Sequence, residues 1–377
     1  MIKSLRNIKS SIIQNLINIP GWRTKRKIVV IESDDWGSIR MPSIDVYNAF
    51  VKKGFRVDVS DFNRLDSLES NDDLIALYEV LEVYRDMHGH HPVFTANCVV
   101  ANPDFKQIKD SSFTHYYYEH VNETLKQYPR RDKVLDLWQE GIANRLFYPQ
   151  FHGREHLNII RWISALKIGS DNLKYTFCNN TTYSGVNDYN YMEAFDLDIQ
   201  DDLNSHIATI TDGLNIFKEI FGYSSKSFIA PCYIWSPEIE KSIFEYGIRY
   251  IQSGSFQLIP KGGINNYKKK YHYLGEINAH NQLYLLRNCI FEPSLINKIN
   301  AIDYTIKSMI NAFKMNKPAI ISSHRINYIG SLVEENRAYN LSCLNNLLKI
   351  ILEKWPDIEF MTSDQLGDLI ISERLVK

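Results

Sequence analysis

The chain has 377 residues, of which 44% are hydrophobic and 23% charged, a balance that excludes a disordered or fibrous protein. Its formal net charge of −1 gives no overall field to attract nucleic acid. Five cysteines are scattered without any Cys-x-x-Cys pair, which argues against a disulfide framework or a thiolate metal site and predicts a reducing, cytoplasmic compartment.

Residues 1–26 are predicted to form a basic amphipathic arm. Apolar residues recur every three or four positions from Ile2 to Ile19, so they would line one face of a helix, and no acidic residue precedes Glu32. We expect the arm to pack against the body of the protein, and peripheral contact with a membrane is the alternative. No apolar run is long enough to span a bilayer. The remaining residues, 27–377, are expected to form one catalytic domain.

From residue 27 onward, short apolar segments alternate with amphipathic ones. Strands are predicted at residues 27–33, 93–98, 146–151, 174–178, 227–230, 250–252, 283–291, 319–323 and 359–361. Helices are predicted at residues 44–53, 72–87, 133–144, 159–166, 203–221, 302–314 and 341–354, with another from Pro237, and exposed loops at 179–202 and 261–270. This alternation predicts parallel strands with right-handed crossovers. Because no phosphate-binding glycine loop follows any strand, a closed or nearly closed barrel is favoured over an open sheet.

Acidic and histidine side chains follow several of these strands. Asp34 and Asp35 come directly after the first strand, His152 and His156 follow the third, and His324 follows the strand at 319–323. The carboxyl ends of barrel strands meet at one mouth, so all five side chains are expected there. If a helix begins at His152, the two histidines four residues apart share its face. Helix capping by the aspartates and a solvated histidine pair are the structural alternatives.

The residue types predict hydrolysis. One carboxylate and two imidazoles leave positions open on a bound metal ion, as a catalytic metal site requires. Water on such an ion becomes acidic, and a second carboxylate and a third histidine can exchange protons with the reactants. This combination favours cleavage of an amide or ester over hydride or phosphoryl transfer.

Four short motifs resemble those of the polysaccharide deacetylase family, the NodB-like enzymes of carbohydrate esterase family 4. The similarity extends over residues 27–368, and it implies a distorted (β/α) barrel of the type found in glycoside hydrolases and deacetylases. The motifs are Ser33-Asp34-Asp35, His152-Gly-Arg-Glu-His156, Ala230-Pro231-Cys232 and Ser322-Ser323-His324.

The resemblance implies a metal-dependent hydrolase that removes an acetyl group from an N-acetylated or O-acetylated sugar of a polysaccharide or glycan precursor. By this resemblance, Asp34 is the base and His324 the acid. The ligands of a divalent metal ion, first of all Zn²⁺, would be Asp35, His152 and His156. Contacts to the substrate or the oxyanion would come from Cys232, Tyr233, Trp36, Arg154 and Arg325.

The chain departs from the family at three positions. Trp36 stands where glycine is usual, Cys232 replaces a tyrosine, and Ile229 replaces the arginine that orients the base. Arg154 or Arg325 is expected to supply that charge. These departures keep two alternatives open: a catalytically silent carbohydrate-binding protein, or a glycoside hydrolase on a related barrel that uses Asp34 and Glu292. The sequence leaves the sugar, its linkage and the oligomeric state open.

Overall fold

The computed structural model describes residues 17–187, 189–295 and 301–375. The strands are β1 Lys27–Trp36, β2 Phe94–Val99, β3 Ala101–Pro103, β4 Tyr118–His120, β5 Phe147–Gly153, β6 Ser227–Ile229, β7 Tyr250–Ser253, β8 Phe256–Pro260, β9 Tyr267–Tyr271, β10 Leu283–Leu286, β11 Cys289–Ile290, β12 Ala319–His324 and β13 Ile358–Phe360. The helices are α1 Ile44–Lys52, α2 Asp61–Leu65, α3 Asn71–Glu82, α4 Phe105–Asp110, α5 Val121–Gln127, α6 Val134–Ala143, α7 Ile159–Ile168, α8 Asp171–Phe177, α9 Asp202–Phe221, α10 Glu238–Glu245, α11 Ala301–Lys314, α12 Glu334–Lys354 and α13 Ser363–Leu375.

Nine strands form one sheet in the order β10-β7-β6-β5-β2-β1-β12-β11, with β13 beside β1. The pairs within this sheet are parallel. Strands β10 and β11 are two halves of one kinked segment: the first half pairs with β7 and the second with β12. At the kink, the Arg287 N–H donates to the Ser253 carbonyl at 2.9 Å and the Asn288 N–H to the Ile320 carbonyl at 3.1 Å. The two edges of the sheet therefore meet, and the prediction of a barrel-like α/β fold with parallel strands is confirmed.

Alternation along β1 fixes what lies inside the barrel. Ile28 and Val30 belong to a small inner apolar cluster, whereas Val29 and Ile31 belong to the larger cluster under the surrounding helices. Because side chains alternate along a strand, Glu32 and Asp34 follow Ile28 and Val30 on the inner face. The interior is therefore apolar near the start of the strands and charged towards their carboxyl ends.

The part of the N-terminal arm that the structure describes, from residue 17, contacts the barrel through apolar packing and hydrogen bonds. Trp22 belongs to the inner apolar cluster, and the ammonium of the buried Lys317 donates to the Pro20 carbonyl at 2.5 Å and to the Trp22 carbonyl at 2.6 Å. These contacts lie near the start of β1, at the opposite end of the strands from their carboxyl ends. The amphipathic pattern before residue 17 lies outside the described residues. Within the described ranges, no helix combines the length and the apolar character needed to cross a bilayer.

Several local assignments differ from the sequence-based ones, and three of them are described here. Residues 174–178, predicted as a strand, belong largely to helix α8, because the Ser170 side chain caps it and Leu173, Thr176 and Phe177 form its buried face. Part of the predicted loop at 261–270 is strand β9, which pairs with β8 in a hairpin. The chain closes with helix α13, which the sequence analysis does not predict.

Candidate active site

One cavity of about 350 Å³ lies at the carboxyl ends of β1, β5, β6 and β12. Its volume is within the range of small-molecule sites. Phe62, Met192 and Leu295 supply part of its apolar wall. The structure brings most of the sequence-predicted site residues to this cavity, namely Asp34, Asp35, His152, His156, His324, Cys232 and Tyr233.

Adjacent aspartates reach one cavity because strand β1 is irregular at its end. In a regular strand, neighbouring side chains point to opposite faces. Here the pairing of β1 with β2 shifts register between Ser33 and Trp36, and Asp35 has a φ of +76°. Such left-handed backbone is uncommon for residues other than glycine, although aspartate tolerates it better than most. The bulge therefore turns Asp35 towards the same space as Asp34.

Asp35, His152 and His156 form a compact buried triad. Oδ1 of Asp35 lies 3.4 Å from Nε2 of each histidine, and one ligand atom from each residue lies within 4.8 Å of the others. The expected helix that carries both histidines is not present. His152 is on β5, Gly153 turns the chain with a φ of +129°, and His156 lies in the loop before α7. Strand end and loop, not helical spacing, bring the two imidazoles together.

The protonation of the triad suits a cation. Nδ1 of His152 lies 2.9 Å from the Ile229 carbonyl and donates to it, so Nε2 is the ring nitrogen that faces Asp35. Burial lowers the pKa of His156 to about 3, so this imidazole is neutral. Burial would raise the pKa of Asp35, but His156, His152 and Arg40 hold it well below its usual range. A carboxylate and the neutral imidazole of His156 thus face each other, an arrangement that a bound cation would stabilise.

Asp34 is held by Arg287 rather than by either arginine proposed from the sequence. The guanidinium makes a bidentate pair with Asp34, at 2.6 Å and 2.7 Å, and Asn97 donates to the same carboxylate at 2.7 Å. Burial alone would raise the pKa of Asp34, but Arg287 holds it well below its ordinary value. Arg287 also donates to the buried Glu32 at 2.6 Å. One arginine therefore pairs with two buried carboxylates.

His324 lies between two carboxylates. Its Nδ1 is 2.6 Å from Oε1 of Glu292, and its Nε2 is 3.8 Å from Oδ2 of Asp34. Burial would lower the pKa of His324, but the ion pair with Glu292 raises it to about 10. Asn327 donates to the other oxygen of Glu292 at 2.7 Å. His324 is therefore a protonated group that faces the cavity.

Three residues predicted to contact the substrate or the oxyanion do not line this cavity. Trp36 is fully buried and packs edge-on against Phe147. Arg154 pairs with Glu155 and Asp212, each at 2.8 Å. Arg325 is also buried and paired. The predicted contacts from Trp36, Arg154 and Arg325 are therefore corrected, because packing and ion pairing hold these side chains elsewhere.

Arg325 instead supports the loop behind Asp35. It pairs with Asp66 at 3.1 Å and with Glu69 at 2.8 Å, and all three are fully buried. Glu69 accepts a hydrogen bond from the Gly37 N–H at 2.9 Å. Arg40 bridges the network to the triad, since it lies 3.4 Å from both Asp66 and Asp35. This ionic network fixes the backbone that follows the two aspartates.

The comparisons with known proteins give one family match. The model of glycosyl hydrolase family 57 matches residues 197–343, less than half of the chain. No curated protein matches this chain. The match is consistent with a carbohydrate substrate.

Solved structures of two kinds are similar to this chain. A 4-alpha-glucanotransferase from Thermococcus litoralis has a TM-score of 0.43 and 12% identity, over 90% of this chain and 40% of that one, so the chain spans well under two thirds of its length. A family 57 branching enzyme from Thermococcus kodakaraensis has a TM-score of 0.44 and 12% identity, over 92% of this chain and 71% of that one. A protein from Mycobacterium smegmatis described as a polysaccharide deacetylase has a TM-score of 0.44 and 10% identity, over 94% of each chain.

The family match contradicts the deacetylase prediction. It concerns enzymes of the glycosidic bond, so a NodB-like, zinc-dependent deacetylase acting on a C–N bond is the wrong functional prediction, and the acetyl group has no support. The predictions of a hydrolase and of carbohydrate metabolism fit the match. Carboxylates and imidazoles at a barrel mouth serve several hydrolytic chemistries, which is why short motifs alone do not separate them.

Proposed function

We propose that this chain is a carbohydrate-active hydrolase that cleaves a glycosidic bond in the cavity around Asp34. The observation that carries this proposal is the overlap between the family match and the site. Residues 197–343 include Arg287 and His324, which approach Asp34, and Glu292, which contacts His324. We also propose that the fold is the distorted barrel shared by glycoside hydrolases and deacetylases.

The site has the two functions that glycoside cleavage requires. An ionised carboxylate must lie beside the anomeric carbon, where positive charge develops, and an acid must protonate the departing oxygen. Asp34, paired with Arg287, stays ionised and takes the first function. The proton passes from Nε2 of His324 to the glycosidic oxygen, while Glu292 holds the imidazole at Nδ1. Water then adds to the anomeric carbon and gives a proton back to Nε2 of His324, which completes the hydrolysis.

We also propose that Asp35, His152 and His156 bind a divalent cation. The fit rests on the inward-facing Nε2 of His152, the neutral His156 and the ionised Asp35. Such a cation would supply a Lewis acid that polarises a substrate oxygen. The Ile229 carbonyl, which accepts from Nδ1 of His152, orients that ligand from behind.

Two broader expectations accompany this function. The catalytic unit would be residues 27–377, with residues 1–26 as an appended arm. A cytoplasmic location stays a prediction, based on five cysteines that form no disulfide.

The test measures two products in the same samples. Purified protein is incubated with α-linked glucans and with N-acetylated oligosaccharides, and new reducing ends and free acetate are quantified together. We expect new reducing ends, and we expect the Asp34→Asn variant to lose this activity by at least about a hundredfold. Asp45→Asn, at an exposed position on α1, is the matched control and should keep full activity.

Two results would overturn the proposal. Acetate released without new reducing ends would show that the site cleaves an acyl group instead. Saturable binding of oligosaccharides without either product, unchanged by Asp34→Asn, would show a binding protein without catalysis.

A further inference from the structure

A second cavity, of about 330 Å³, lies beside the active-site cavity, past the carboxyl ends of β1 and β2. Ile39, from the turn after β1, and Asn102, from β3, contribute to its wall. Arg40 directly follows Ile39 and lines the active-site cavity, although the two cavities share no lining residue. The turn after β1 therefore separates two cavities at the same end of the barrel.

One part of the wall is apolar and held in place by packing. It is formed by Ile39, Pro103 and the half-buried ring of Phe105, at the start of α4. The Phe105 ring packs against Trp162 and Phe177, with centroid distances of 5.9 Å and 5.1 Å. Such a surface suits the C–H face of a sugar ring, because the contact removes apolar surface from water on both sides.

The polar part of the wall offers hydrogen-bonding groups that a ligand can reach. The hydroxyl of the half-buried Tyr128 is not enclosed and makes no hydrogen bond to another described residue. Burial raises the pKa of Tyr128 to about 12, so this hydroxyl keeps its proton and can both donate and accept. The amide of Asn180, at an exposed position with a φ of +54°, also has no partner within the described ranges.

The charged side chains of the wall do not favour an ion. Nε2 of Gln127 donates to Glu119 and Nε2 of Gln107 donates to Asp104, each at 2.6 Å. The exposed ammonium of Lys106 offsets one of the two carboxylates. Among the described residues, the cluster suited to a metal ion is the triad of the active site. The second cavity therefore favours an uncharged ligand that forms hydrogen bonds.

We propose that this cavity binds sugar units of the same oligosaccharide chain that occupies the active-site cavity. A sugar hydroxyl donates and accepts hydrogen bonds, which matches the Tyr128 hydroxyl and the Asn180 amide. A volume of about 330 Å³ is at the lower end of small-molecule sites, so it suits a short part of a chain. The choice of a glucan as the ligand rests on the proposed function.

The experiment is a calorimetric titration of the full chain with thio-linked maltoheptaose, whose sulfur linkages resist hydrolysis. Binding can therefore be measured whether or not the protein cleaves glucans. We expect saturable binding. We expect thio-linked maltose to bind at least about tenfold more weakly, because a short ligand reaches only one cavity at a time.

Two conservative variants test the cavity itself. Tyr128→Phe removes the hydroxyl and keeps the ring, and Asn180→Gly removes the amide at a left-handed position that glycine adopts easily. Each should weaken the binding of thio-linked maltoheptaose about fivefold, because one hydrogen bond is lost. Tyr246→Phe and Asn265→Gly are the matched controls. Both residues are exposed and line neither cavity, and Asn265 has a φ of +57°, so the affinity should not change.

Three results would overturn the inference: no saturable binding of thio-linked maltoheptaose, equal affinities for the long and the short ligand, or equal effects of the test and control variants. Failure of the hydrolase reaction is a separate result, because it is measured as new reducing ends from ordinary glucans. A protein whose binding depends on Tyr128 and Asn180 but which releases no reducing ends would refute the reaction alone.

Discussion

Arg287 connects the stability of the barrel interior to the chemistry at its mouth. It lies between Glu32 and Asp34, which are both buried on the inner face of β1. Removing one partner of a buried ion pair leaves an uncompensated charge, which costs more than the pair itself contributes. The same guanidinium also keeps Asp34 ionised. A change at Arg287 should therefore affect folding and turnover together.

We expect Arg287→Met to lower the free energy of unfolding by about 3–5 kcal/mol, because two carboxylates lose their cation. Urea unfolding followed by tryptophan fluorescence measures this change. Arg287→Lys keeps the charge but not the bidentate geometry. Its free energy of unfolding should therefore lie between those of the wild type and of Arg287→Met. Arg249→Met, at an exposed arginine, is the control, and a midpoint shift no larger than that of the control would refute the expectation.

The Asp35 triad predicts a stoichiometric cation. We expect elemental analysis after dialysis to find about one divalent ion per wild-type chain, and His152→Ala to weaken its binding by more than about 100-fold, since a direct ligand is lost. His115→Ala, at an exposed histidine, should retain the ion. A wild-type chain without the ion, or a His152→Ala variant that keeps it, would disprove the site.

At the scale of single residues, the sequence identifies polar side chains that follow a strand. It does not identify contact partners that are distant in the sequence. Asp34, Asp35, His152, His156 and His324 stand out because polar groups end apolar segments. Arg287 does not, although a charged residue inside the apolar segment at 283–291 is a signal of a buried ion pair. Its two carboxylates lie 253 and 255 residues away, and only the closed sheet brings them together.

Among the elements, the irregular end of β1 decides the geometry of the site. Gly37 follows the bulge with a φ of +78°, and a Cβ there would lie 2.6 Å from the Val99 carbonyl oxygen. That oxygen belongs to the backbone of β2, which cannot move aside easily. The position therefore requires glycine for both its conformation and its space.

We expect Gly37→Ala to be about 2 kcal/mol more destabilising than Gly54→Ala in chemical unfolding. Both positions have positive φ, and a Cβ at Gly54 meets nothing within 4 Å, so the difference isolates the contact with β2. Gly37→Ala should also reduce activity, because Gly37 adjoins the ionic network behind Asp35. Equal destabilisation of the two variants would contradict this account.

Most strands and helices can be predicted from periodicity because their apolar runs are long or regular. Helix α8 is misassigned because Tyr175 and Phe177 alternate with polar residues, and a segment this short fits both periods. Helix α13 begins with buried polar residues, Ser363 and Asp364, which conceal its start. Ser363 donates to Glu32 at 2.6 Å, a contact inside the barrel that no local pattern encodes.

At the scale of the whole molecule, the arm and the last strand are joined by an ion pair that responds to pH. Arg26 donates to Glu359 at 2.8 Å and 2.6 Å, and His88 lies 3.2 Å from the same carboxylate. The hydrogen bond from Arg26 lowers the pKa of Glu359, against the opposing effect of burial. A carboxylate whose pKa is lowered in the folded state stabilises the folded protein at pH values above its pKa in the unfolded chain. This contribution is lost as the pH falls through its pKa in the folded state.

We therefore expect Glu359→Gln to cost less than about 1 kcal/mol at pH 7, since Arg26 is partly exposed, and the difference from wild type to vanish well below about pH 4. Urea unfolding at several pH values measures both. Glu353→Gln, at an exposed position on α12, is the control and should differ little from wild type throughout. If the difference in the free energy of unfolding between Glu359→Gln and the wild type does not change with pH, the proposed contribution of the ion pair between Arg26 and Glu359 is ruled out.

The function of the whole molecule is less readable from the sequence than its fold. Alternation of strands and helices predicts the barrel, and placement at strand ends predicts the mouth. The chemistry does not follow, because the same mouth accommodates different reactions through a few loops. The short motifs imply a deacetylase, whereas the match over residues 197–343 indicates a family of the glycosidic bond.

The kinked segment of β10 and β11 has a consequence for how the protein is made. A ribosome synthesises β1 early, and the strand that joins both edges of the sheet emerges only after three quarters of the chain. Until then Glu32 and Asp34 have no cation to neutralise them, so the N-terminal part cannot settle into its final arrangement during translation. Fragments that end before residue 283 should remain dependent on chaperones or be degraded, and catalytic competence should require the strands from β10 to β12.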